Sequence, residues 1–149
     1  MLTVTLLAIA GAVISAVVGT LWYSGSTPMG KIHMQSMGFY NLSKEEQMKK
    51  MEEAKPEMPK MYGAQFVLSL LTSFAVVFII QMSVENGVPF LMALGFVLFN
   101  WLCFMVPIIG SGILWSNCDK KIAWKKFFYD IGSNLVTVLL IAFLTSFFV

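Results

Sequence analysis

What this sequence lacks sets its class. It holds no arginine, two cysteines and one histidine, and charged residues make up 12% of its 149 positions. Soluble domains carry about 25% charged residues. Half that share, with 58% hydrophobic residues and a mean hydropathy of +0.78, points to a membrane protein. The net charge of +2 is small and no basic stripe interleaves with aromatics, which argues against nucleic acid as a partner. Cys103 and Cys118 are fifteen residues apart, about 22 Å along a helix, whereas bridged Cα atoms sit within about 7 Å. They are expected to be free thiols, and no zinc spacing is present. His33 has no serine, cysteine or carboxylate at a spacing that would make it a catalytic base. No charged residue falls in the middle of an apolar run, so the relay group that proton-coupled transporters need is missing. The expectation is a protein without catalysis or cofactor.

What is present is length without charge. Leu2 to Tyr23 carries no charged residue and, at about 33 Å, can cross a hydrocarbon core of about 30 Å. Gly11, Ser15 and Gly19 recur every four residues beside a row of Ala8, Ala12 and Ala16, a pattern that lets helix backbones approach closely. Trp22 and Tyr23 fall where an interfacial aromatic belt belongs, and Ser24-Gly-Ser-Thr-Pro28 breaks the helix. Met29–Tyr40 reads as a short interfacial helix. Ser43–Lys55 reads as a soluble helix with a Ser43/Glu46 capping box and Glu45–Lys49 and Glu46–Lys50 pairs. Three further spans follow, at about 63–84, 89–115 and 131–149. The turn at Glu85–Val88 joins the second and third spans, and Pro107 is expected to kink the third.

The architecture expected is therefore all-α, a single integral membrane domain over 1–149 with four transmembrane helices near 2–23, 63–84, 89–115 and 131–149. Loops 24–62 and 116–130 hold six and four lysines, which is every basic residue in the chain. Lysine placement sets orientation, so both loops are expected on the cytoplasmic side and both termini outside. GTLW at 19–22 returns as GILW at 112–115, and Gly63, Val67, Leu70, Leu71 and Phe74 match Gly132, Val136, Leu139, Leu140 and Phe143. The two hairpins thus read as a parallel internal repeat with its axis along the membrane normal.

LWYS at 21–24, Gly30-Lys31, Met37-Gly38 and LSKEE at 42–46, followed by AWKKFFYDIGSNLV at 123–136, resemble the bacterial membrane family catalogued as domain of unknown function 1761. The resemblance covers most of the chain and implies the fold and a bacterial inner membrane; it implies no activity. This chain departs from the family pattern at Gly25, where proline is usual, and at Asp130 and Asn134, where asparagine and often histidine are expected.

The candidate binding residues are Trp22, Tyr23, Ser24, Lys31, His33, Asn100, Trp115, Asp130 and Asn134. The tryptophans and Tyr23 would wall a pocket for a lipid headgroup or an amphipathic small molecule. Asp130 would open the fourth helix, stabilised by its dipole, or pair with Lys31 or a neighbouring lysine. Three MxxM pairs, 34/37, 48/51 and 58/61, offer soft thioether ligands but equally fit flexible apolar helix faces. The leading expectation is a non-catalytic binding or assembly protein at the cytoplasmic membrane interface. The alternatives are a small-molecule transporter or channel-like homodimer and a Met/His metal-binding membrane protein. The expected partners are membrane lipids, a second copy of the chain and an unidentified small molecule.

Overall fold

A computed structural model describes residues 2–39 and 42–149. These residues form helices α1 (Leu2–Trp22), α2 (Pro28–Ser36), α3 (Lys44–Ala54), α4 (Met58–Glu85), α5 (Phe90–Asn100), α6 (Val106–Leu114) and α7 (Lys120–Thr145), with a π-helical turn, Trp101–Met105, joining α5 to α6. Four rods, Leu2–Trp22, Met58–Glu85, Phe90–Leu114 and Lys120–Thr145, are long and apolar enough to cross a membrane. The chain is all-helical among the described residues and is a membrane protein on that measure.

Packing starts from the small residues of α1. A Cβ placed on Gly11 would lie 1.9 Å from the Ser73 Oγ of α4 and 3.1 Å from Ile141 Cγ1 of α7, so only glycine lets the three helices meet there. Ala8 and Ala12 are buried on the same face. Lipid is as apolar as leucine and drives no association of these helices; close backbone approach does. Gly19, the far end of the expected stripe, has nothing within 4 Å. The stripe works in its first half alone. Around Gly11 the core gathers Val4 and Leu7 from α1, Val77 and Ile80 from α4, Val97 from α5 and Val138 from α7.

The turns follow from local chemistry. Asn86-Gly87 ends α4 with Gly87 at φ +80°, its amide donating to Val84 O and the Val88 amide to Ser83 O. This paired closure satisfies the last carbonyls of the helix and favours glycine at the left-handed position. Gly38 at φ +75° closes α2 in the same way. At Pro107 the span carries a π turn. This residue lacks the amide that would bond Cys103, and the preceding turn widens so that the Val106 amide reaches Trp101 O, an insertion typical of π turns.

Two boundaries differ from expectation. Helix α7 opens at Lys120, well before the apolar run at 131–149, because Asp119 caps it by accepting from the amides of Lys121 (2.9 Å) and Ile122 (3.2 Å). Its first turns bury Ala123 and Phe127 against Ile113 of α6 and leave Lys121 and Lys125 exposed. Asp130 therefore lies inside a helix rather than at its start, and the dipole account of it is corrected. Helix α4 begins at Met58, with Pro59 in its first turn.

The capping box on α3 is complete, Ser43 N donating to Glu46 Oε2 at 2.8 Å and Glu46 N to Ser43 Oγ at 3.2 Å. The expected ion pairs Glu45–Lys49 and Glu46–Lys50 do not close. Glu46 is engaged by the cap, and Lys50 stands over the Phe39 ring, 5.8 Å from its centroid. The expected interfacial segment is helical over Pro28–Ser36; Tyr40, its expected end, lies outside the described residues.

Candidate functional site

The site forms where α2 folds back onto α7. Thr27 makes that return. Its hydroxyl accepts from the Gly30 amide at 2.9 Å and shares its proton between the carbonyls of Trp22 (2.7 Å) and Ser24 (2.9 Å). It thus caps α2 and ties it to the end of α1, while Pro28 supplies the first helical position. Gly30 is required by contact: a Cβ there would sit 2.0 Å from Ser24 O.

Side chains from the end of α1 and from α2, namely Trp22, Tyr23 and His33, converge on α7. The Tyr23 hydroxyl donates to Asp130 Oδ1 at 2.6 Å. Lys126, one turn before Asp130, pairs with its other carboxylate oxygen, both groups largely shielded from solvent. Ser133 is buried beside the Tyr23 hydroxyl. His33 lies with its ring centroid 5.0 Å from that of Tyr23, and its Nδ1 is buried without a hydrogen-bond partner. Burial, reinforced by the Lys126 charge and partly opposed by Asp130, holds the His33 imidazole below its usual pKa, which favours the neutral ring. Trp22 closes the other side, its ring 3.5 Å from where a Cβ on Gly132 would stand and its Nε1 buried and unpartnered.

Beside this cluster is an open-sided cleft of about 730 Å³ between the C-terminal end of α2 and the α6–α7 hairpin. Lys126 and Asp130 line it together with Gln35, Ser36 and Ser116, and Ile109 and Ile113 supply apolar wall. The hairpin is held by Lys120, whose Nζ donates to the carbonyls of Ile113 (3.3 Å), Leu114 (3.0 Å) and Ser116 (3.4 Å). It thereby satisfies the open end of α6 with a cation where the helix dipole is negative. Lys120 is consumed by the fold, and Lys126 is the lysine left in the cleft lining, beside Asp130.

A family model described as protein of unknown function (DUF1761) matches residues 6–146. The chain belongs to that family. No curated protein and no solved structure matches it. In this DUF1761 chain the structure brings together Trp22, Tyr23, His33 and Asp130, with Asn134 half-buried one turn further along α7, while the Ser24 hydroxyl pairs with Ser26 instead. Asp130 takes a neighbouring lysine, Lys126, and Lys31 is exposed. Trp115 is 87% exposed and Asn100 is exposed on α5, so neither joins the group. The MxxM pairs fall on and beside α2, α3 and α4. Thr27, Gly30, Lys120 and Gly132 were missed as organising residues. The Thr-Pro cap signal ahead of Gly30 was readable, whereas nothing local marks Lys120 or Gly132.

Proposed function

We propose that this chain is a non-catalytic binding protein of the bilayer interface, with the α2–α6–α7 cleft holding the head of an amphipathic ligand. The observation that carries the reading is the lining of that cleft. Lys126 and Asp130 pair in its wall, and Asp119, the cap of α7, adds a second carboxylate, so the polar lining carries an excess of negative charge. That composition suits a head that carries an ammonium group, such as a zwitterionic one, better than a free anion, and the isoleucines of α6 suit the first carbons of an acyl chain. The lysines cluster at this end of the bundle, which favours placing it on the cytoplasmic face, with α2 lying along the interface. The parallel repeat is supported by part of the packing: exchanging α1 with α5–α6 and α4 with α7 turns the α1–α7 contact into the α5–α4 contact, while the extensive α1–α4 contact has only a smaller counterpart between α6 and α7.

Native mass spectrometry of the detergent-extracted protein tests the binding reading. Gly112 lines the cleft and has open space around its Cα, so Gly112→Leu fills the cleft without a clash. Wild type should retain a lipid-sized adduct through mild activation, and Gly112→Leu should lose it at unchanged melting temperature. Equal adducts on both proteins, or none on wild type, would reject the cleft as the site.

A further inference from the structure

Several outward-facing polar side chains of this bundle satisfy themselves. Thr20, Thr72 and Ser111 each send their hydroxyl proton to a carbonyl of their own helix, at 2.8, 3.1 and 2.8 Å. Asn100 cannot do so. Its Nδ2 donates to Phe96 O at 2.9 Å, which uses one of two N–H bonds and leaves the amide oxygen with no donor among the described residues. Ten residues of helix separate it from Phe90, about 15 Å, which is half of a hydrocarbon core of about 30 Å. With this rod crossing a bilayer, that position is far from water and headgroups, where an unpaired amide is costly. Phe96 and Phe104, 46% and 60% exposed, flank it one turn to either side.

We propose that the Asn100 face of α5 is a contact between two copies of this chain. A carboxamide is self-complementary, one copy's N–H meeting the other's oxygen and the reverse. A twofold axis places identical residues opposite each other, so a second copy satisfies both amides at once. Any other membrane partner would have to bring its own matching polar group to the same depth. The inference is independent of the cleft, which lies between α2, α6 and α7.

The test uses donor- and acceptor-labelled full-length chains, fused at Val149 to fluorescent proteins, diluted in phosphatidylcholine vesicles. Wild type should show concentration-dependent energy transfer, and Asn100→Leu should weaken self-association about three- to thirtyfold, the range set by interhelical hydrogen bonds in membranes. In a background of Cys103→Ser and Cys118→Ser, copper-phenanthroline oxidation should join two copies through Phe104→Cys and not through Val17→Cys, which is exposed on α1. Absence of energy transfer in wild type, equal transfer in Asn100→Leu, or cross-linking through position 17 in place of 104 would overturn the proposal.

Discussion

The two ends of this bundle are built on different principles. At the end that carries the Glu85 turn, α1, α4 and α7 meet around Gly11, Ser73 and Ile141 with no room for a Cβ, and the buried residues of α1 and α4 fall in the halves of those helices nearest this end. At the lysine end α4 withdraws: positions 59–68 are all exposed. The space beside α7 is taken by α2, held through Thr27 and the Tyr23–Asp130–Lys126 chain. One end gains its order from shape and the other from hydrogen bonds. The first resists change because backbones touch; the second is polar and partly open.

Gly11→Leu should break the comparison most severely, since the new side chain meets Ser73 and Ile141 where no space exists. A loss of about 3 kcal/mol, at the upper end of what overpacking costs, is expected in detergent unfolding. Adding Ser73→Gly should recover part of it because the two residues are in contact.

Tyr23→Phe sharpens the contrast. Deleting a hydrogen bond to a carboxylate should cost about 1.5 kcal/mol. Hydrogen exchange should quicken in residues 28–36 while amides around Gly11 keep their protection, as expected of separate cooperative units.

The smallest effect concerns pH. The folded His33 pKa is lowered, so between the unfolded value of about 6.5 and the folded one the unfolded chain binds more protons. Stability is full above about 6.5 and is lost as pH falls through the lowered folded value. The groups facing the ring are Tyr23, Lys126 and Asp130. Melting followed from pH 8 to pH 5 should show a modest decline in wild type that is absent in His33→Gln.

Local signals were legible in the sequence. Ser43 with Glu46 and Asn86 with Gly87 each fix a helix end through contacts within six residues, and the structure has both; Thr27 with Pro28 carries the same kind of signal inside a stretch that reads first as a helix break. The four apolar rods were equally plain. The start of α7 was hidden because Lys120–Asp130 interleaves lysines with Ala123 and Phe127, an amphipathic face that hydropathy averages away. The site was legible only as a set of candidates. Tyr23 and Asp130 are 107 residues apart, and no spacing rule joins them. The two GxLW copies show the limit most clearly: Trp22 finds Gly132 and Trp115 finds no cover, because a repeated tetrapeptide carries no information about its neighbours.

The widened turn at Trp101–Met105 changes which way one rod looks. Before it, α5 rests on α4; after it, α6 rests on α7. An extra residue per turn advances the following side chains by about 100°, so a single span can serve one neighbour with its first half and another with its second. Ile113 owes its place against Phe127 to that added rotation. Removing one residue from the segment would leave the span its apolar character but aim the α6 isoleucines elsewhere, and the cleft would lose its oily wall without any of its polar residues having been touched.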